Sequence, residues 1–284
     1  MKKILAVKHL KVFSINEPNR HLVNDVSFDL YPGRTTCIVG ESGSGKSLTA
    51  LSIMKLLSSQ LKETGDIVFE GQNIAHLSNT AMRQYRGKSM AMIFQEPMTS
   101  LNPVISVGDQ IKEALKVHLD LDKKSLNKKA ASLLKEVGIA EDRLSSYPDE
   151  LSGGQRQRIM IAMSIACKPS ILIADEPTTA LDVTVQSQIL KLLQSLKNEM
   201  HMTMLFITHD FGVVEDIADE VIVMFQGKIV EKGSVSQVLK KPKHPYTKAL
   251  LKCVPDAKGI KKLKPIEYQH LGHQTDTCAV EVLR

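Results

Sequence analysis

Gly40-Glu41-Ser42-Gly43-Ser44-Gly45-Lys46-Ser47 fits the pattern G-x-x-x-x-G-K-S without a mismatch, and its flanks differ in character. Before it, Thr35 to Val39 is a short apolar run preceded by the turn signal Tyr31-Pro32-Gly33. After it, Leu48 to Leu57 is built of good helix formers. A strand, a glycine loop and a helix in that order let several backbone N–H groups converge on an anion at the helix N-terminus. Gly40, Gly43 and Gly45 allow the tight turn, and the backbone of Glu41, Ser42 and Ser44 completes the cradle. Lys46 adds a full positive charge, and the Ser47 hydroxyl suits Mg²⁺. A merely flexible glycine linker would not require Lys-Ser at these offsets. The loop therefore predicts a nucleoside triphosphate site set on a buried sheet.

The rest of the chain supplies that sheet. Ile4 to Phe13 and Leu22 to Leu30 read as strands, as do Asp66 to Phe69 and Ser89 to Phe94. Between Val104 and Ser164 the pattern turns helical; Leu126, Ala130, Leu133, Leu134 and Val137 share one face, and Gly138 is placed to stop that helix. Strands return at Ile171 to Ala174, Met204 to Thr208 and Val221 to Phe225, separated by helices over about Val183 to Met200 and Phe211 to Ala218. Near-continuous apolar strands alternating with helices imply an α/β fold with a parallel sheet buried on both faces. The helical stretch reads as an insertion into it.

Several polar residues fall where these strands end. Asp175 closes the run Ile171-Leu172-Ile173-Ala174, which places its carboxylate at the carboxyl edge of the sheet beside the glycine loop. A carboxylate there suits Mg²⁺, directly or through water. Glu176 follows and points differently; Pro177 and Thr178 make a turn, so a solvated pair of acids is the plainer alternative. Gln95 ends one strand and His209 follows Leu205-Phe206-Ile207-Thr208. Ser152, Gly153, Gly154 and Gln155 precede a helix running through Arg156 to Ala166, where a capping turn and a close approach to an anion are compatible.

Leu151-Ser152-Gly153-Gly154-Gln155, lying between the glycine loop and Asp175-Glu176, resembles the signature of the ATP-binding subunits of ABC transporters, over roughly residues 3 to 252. The resemblance implies a P-loop NTPase (RecA-like) core with a mostly parallel sheet, an antiparallel β subdomain and an inserted helical subdomain at about 96–165. ATP and Mg²⁺ are the implied cofactors. Glu176 would polarise the attacking water, Gln95 would reach Mg²⁺ or that water, and His209 would contact the γ-phosphate. Ser47, Gln95 and Asp175 are the implied metal set. Asp182, in Ala180-Leu181-Asp182, would lie across a dimer interface. Phe13 is the candidate for stacking on adenine, with a core role as the alternative. Ser152 to Gln155 would close the ATP of a second subunit, either a copy of this chain or a paralogue.

Met98-Thr99-Ser100-Leu101-Asn102-Pro103 and Lys243-His244-Pro245-Tyr246-Thr247-Lys248-Ala249-Leu250-Leu251 resemble strings common in the oligopeptide, dipeptide and nickel branch. That implies an import ATPase working with two membrane permease subunits and, indirectly, a solute-binding protein. The cargo would be peptides, with nickel or a metal chelate as the alternative. The cassette would span 1–235 and a shortened basic extension 236–284. Gln95-Glu96-Pro97 and the helices after it would form the permease-facing groove. A soluble ABC ATPase acting on DNA or the ribosome is a further class, but no coiled coil, zinc motif or second cassette appears.

Bulk properties agree. No apolar run approaches the roughly 20 residues of a membrane span, and Lys8 interrupts the short apolar stretch at the N-terminus. The expected location is the cytoplasmic face of the membrane, held there by partners. Cys37, Cys167, Cys253 and Cys278 form no C-x-x-C pair, which suits free thiols in a reducing compartment. His270 and His273 near Cys278 lack the helical setting and acid partner of a zinc site. The net charge of +6 is concentrated late: from Lys228 onward twelve basic residues face five acids. Few aromatics interleave with these lysines, so nucleic acid is not an expected partner.

Overall fold

The computed structural model describes residues 2–95, 100–179 and 181–252. Glu96, Pro97, Met98, Thr99, Ala180, Cys253, His270, His273 and Cys278 therefore lie outside the described residues. Four strands, β1 (Leu5–Ser14), β2 (His21–Leu30), β4 (Leu61–Phe69) and β5 (Gln72–Asn73), form an antiparallel sheet in the order β2-β1-β4-β5. Six more, β3 (Thr35–Val39), β6 (Met90–Ile93), β7 (Ile171–Asp175), β8 (Thr203–Thr208), β9 (Glu220–Phe225) and β10 (Lys228–Ser234), form a second sheet in the order β10-β9-β3-β8-β7-β6. Every pairing in it is parallel except that of β10 with β9.

The apolar strands put alternate side chains on opposite faces of this sheet. Cys37, Val39, Leu172, Ala174, Met204 and Phe206 join one core. Ile38, Ile173, Leu205 and Ile207 join the other, together with the antiparallel sheet and helix α1 (Lys46–Ile53). Both faces are thus covered, which explains runs without polar breaks. Each buried valine, leucine, isoleucine, methionine or phenylalanine among them contributes about 1.5–3 kcal/mol.

The helical insertion lies between β6 and β7: α3 (Val107–Lys116), α4 (Lys123–Glu136) and α5 (Gly153–Ile165), with the one-turn α2 (Asn79–Met82) preceding β6. Its boundaries are chemical. Ser106 and Asp122 cap α3 and α4 by accepting the backbone N–H groups of Asp109 and Ser125. Gly138, at φ 73°, stops α4, and Leu126, Ala130, Leu133 and Leu134 are buried from it. After β7 come α6 (Val183–Met200), α7 (Phe211–Ile217) and α8 (Pro245–Lys252).

Some elements differ from expectation. β4 begins at Leu61 rather than Asp66, and β10 and α8 were not anticipated as elements. Helix α1 begins at Lys46, inside the loop motif, and ends at Ile53 rather than Leu57 because Lys55 takes a left-handed φ of 50°.

Candidate nucleotide site

Strand β3 pairs with β8 on one side and β9 on the other, so the glycine loop leaves from the middle of the sheet. It is pressed against its neighbours. A Cβ on Gly40, whose φ is 153°, would stand 2.2 Å from the Met224 carbonyl oxygen. One on Gly45, at φ 98°, would stand 3.0 Å from the Leu22 carbonyl oxygen. Gly227 ties this region together, donating its N–H to the Ser44 carbonyl at 3.1 Å and accepting that of Asn24 at 2.7 Å. The Lys46 ammonium is 4% exposed and donates to the Gly40 and Glu41 carbonyls, each at 2.8 Å. Burial lowers its pKa, against the pull of Glu176 and Asp175.

Ser47 follows on the first turn of α1, and its hydroxyl donates to Asp175 Oδ1 at 3.0 Å. Asp175, the last residue of β7, is 5% exposed, and burial pushes its pKa up to about 6. Two hard oxygen donors in contact beside a phosphate cradle fit Mg²⁺. The Ser44 hydroxyl is also buried at the loop, without a hydrogen-bond partner among the described residues.

Glu176 is the convergence point. Its φ is 45°, and its N–H donates to the Ile207 carbonyl of β8 at 2.9 Å. Oε2 accepts from Gln95 Nε2 at 3.3 Å and from Thr179 Oγ1 at 3.0 Å, and lies 3.2 Å from His209 Nδ1. Oε1 lies 4.0 Å from Lys46 Nζ. Gln95, Asp175, Glu176, His209, Lys46 and Ser47, read separately from the sequence, therefore meet. Thr179 was not singled out; its hydroxyl three residues after the glutamate was the available signal.

The other candidates make contacts of their own. Ser152 caps α5: its hydroxyl accepts the Gln155 N–H at 3.3 Å, and Gln155 Oε1 accepts the Ser152 N–H at 2.9 Å. Gly153 and Gly154 face Leu181 and Val185. Asp182 caps α6 by accepting the Val185 N–H at 2.9 Å. Phe13 is half-buried opposite His21 across the β1–β2 pair, its ring meeting the imidazole edge-on at 5.7 Å. Leu22 and Val23, next along β2, touch the Gly45 position, which brings Phe13 to the neighbourhood of the loop.

A family model described as ABC transporter matches residues 23–179. The chain belongs to the ABC transporter family. A second model, oligopeptide/dipeptide transporter C-terminal region, matches residues 230–278. The glutathione import ATP-binding protein GsiA of Escherichia coli is 49% identical over 270 residues, covering 92% of this chain. The chain spans 43% of the length of that relative. A Brucella melitensis protein carrying a provisional peptide import ATP-binding name is 49% identical over 272 residues, covering 91% of this chain and 80% of its own length. Among solved structures, cbiO1 of Clostridium perfringens aligns with a TM-score of 0.72 at 28% identity, over 85% of this chain and 92% of that one. The ATP-binding cassette MJ0796, a dimer bound to ADP and phosphate, aligns with a TM-score of 0.73 at 26% identity, over 81% of this chain and 98% of that one. The fold is therefore the ABC cassette: a P-loop NTPase core with its antiparallel sheet and helical insertion.

A cleft of about 590 Å³ is lined by Met54, Leu56, Phe94, Met160 and Met163 among others. Leu56 and Phe94 are 37% and 40% exposed. Phe94 directly precedes Gln95, so the cleft adjoins the nucleotide site along the chain.

Proposed function

We propose that the chain is the ATP-hydrolysing subunit of an importer of peptides, driving a membrane permease from its cytoplasmic face. The observation that carries the hydrolytic reading is the hold on Glu176, which touches Gln95, Thr179 and His209 and lies 4.0 Å from Lys46. Lys46 and the loop N–H groups bind the β- and γ-phosphates. Glu176, fixed in orientation by its neighbours, polarises the water that attacks the γ-phosphorus. Gln95 and His209 position that water and the terminal phosphate. Ser47 and Asp175 hold Mg²⁺, which when bound neutralises charge on the phosphate oxygens.

A peptide-class cargo is supported by the names of the relatives and by the match of residues 230–278 to an oligopeptide/dipeptide transporter region. The cleft between Leu56, Phe94 and Met163 is the proposed seat of a permease segment; its lining residue Phe94 directly precedes Gln95, which touches Glu176. The Glu176→Gln variant tests the hydrolytic reading. Turnover should fall by at least about 100-fold while ATP affinity is kept. Hydrolysis at the wild-type rate would remove Glu176 from its role. Uptake of labelled glutathione or short peptides, compared with Ni²⁺, in cells lacking the gene tests the cargo.

A further inference from the structure

The C-terminal region reaches directly into the glycine loop. The Tyr246 hydroxyl accepts the Glu41 backbone N–H at 3.1 Å, across 205 positions of chain. Tyr246 is fully buried at the start of α8, and its ring stacks on Phe225 with centroids 4.0 Å apart. Phe225 ends β9, the strand paired beside β3. The lead into α8 is fastened to β10: the two carboxylate oxygens of Glu231 accept the N–H groups of Lys243 and His244, at 2.8 and 3.0 Å. His244 Nδ1 in turn accepts the Tyr246 N–H at 3.2 Å.

The Glu41 N–H and the Gly40 carbonyl belong to one peptide unit. In a trans peptide they point in opposite directions. The carbonyl accepts from Lys46 Nζ at 2.8 Å. A single plane is thus gripped by Tyr246 on one edge while its other edge holds the ammonium. Rotation of that plane would carry away one of the two carbonyl oxygens that locate Lys46, the other being that of Glu41. Glycine at position 40 offers the plane little intrinsic resistance to such rotation, so an outside hold matters there.

We propose that Tyr246 is a positioning residue of the nucleotide site: its hydroxyl fixes the Gly40–Glu41 peptide and through it the placement of Lys46 against the phosphates. This rests on the reading of Gly40 to Ser47 as the phosphate site. It gives the region matched at 230–278 a defined mechanical link to nucleotide binding.

The test is Tyr246→Phe in the full chain, which removes one oxygen and leaves the stacked ring. ATP affinity is measured by titration, KM and kcat by steady-state hydrolysis, and amide exchange at Glu41 by hydrogen–deuterium exchange without nucleotide. Loss of one hydrogen bond predicts a rise of about three- to tenfold in Kd and KM, kcat within about twofold of wild type, and faster exchange confined to the loop. Unchanged affinity and exchange would overturn the proposal. So would faster exchange spread through β3 and β9, because Tyr246 would then be a core residue alone. If the wild-type chain bound no ATP, the phosphate-site reading would fail instead, and the Glu41 exchange comparison would still decide whether Tyr246 holds the loop.

Discussion

Asp175 is placed where folding alone would not choose a carboxylate. It sits at 5% exposure at the end of a buried strand, and desolvation raises its pKa to about 6. The folded protein therefore binds this proton more tightly than the unfolded chain, whose aspartate titrates near 3.8. Stability from this group is greatest when it is protonated and declines as pH rises from about 4 through 6. At neutral pH the charged form is a cost, one that the Mg²⁺ proposed to bind here would offset. Asp175→Asn should accordingly stabilise the Mg²⁺-free protein at pH 7.5 by on the order of 1–3 kcal/mol, while abolishing Mg²⁺-dependent hydrolysis. The gain should shrink as pH falls through 6 and vanish near 4. Urea titrations at pH 7.5, 6 and 4.5 check this; a gain constant with pH would show that burial does not perturb the carboxylate.

At the scale of elements, the start of α5 combines two uses. Ser152 and Gln155 close a reciprocal cap, and the same turn presents the N-terminus of α5 with Ser152 and Gly153 exposed. Substitution separates the uses. Ser152→Ala should cost about 1 kcal/mol of stability. Ser152→Asp should recover that cost, since aspartate caps well, yet still depress ATP hydrolysis by setting a negative charge where a phosphate is expected. Denaturation midpoints and turnover for the two variants check this; full activity in Ser152→Asp would leave the turn a cap and nothing more. Elements of this kind were legible because their signals are local. Buried strands such as Ile171–Asp175 announce themselves by unbroken apolar residues, and α4 by its face and Gly138. β10 did not, because Lys-Ile-Val-Glu-Lys-Gly-Ser is an edge strand with exposed lysines at positions 228 and 232 and a glutamate spent on the lead into α8. The polar first half of β4 was hidden for a similar reason, alternating between half-buried and exposed positions. Within the site, the loop, Asp175, Glu176, Gln95 and His209 follow strand ends and could be found in sequence. The contact of Tyr246 could not, since it joins residues 205 positions apart and depends on where a side chain lies in the finished fold.

In the whole molecule, the two halves of the phosphate-binding chemistry have different surroundings. The glycine loop packs against β2 and β9 and adjoins Asp175 and Glu176, whereas Gly153 and Gly154 face Leu181 and Val185. On the proposed ATPase reading the loop cradles ATP, and the Ser152 turn would close the ATP of a second subunit, either a copy of this chain or a paralogue. A C2 pair would then contain two equivalent sites. Gly153→Asp tests this division. Gly153 has an ordinary backbone, and a Cβ there would meet only Leu181 Cδ2 at 3.7 Å, so the substitution fits the folded chain. In a Glu176→Gln background, where ATP persists, light scattering should show nucleotide-dependent association. Adding Gly153→Asp should abolish that association and leave ATP binding to the single chain within about twofold. Adding Lys46→Ala should abolish both, because it removes the buried ammonium itself. If Gly153→Asp weakened single-chain ATP binding as severely as Lys46→Ala, the two motifs would serve one site within one chain, and the dimeric motor would have no basis.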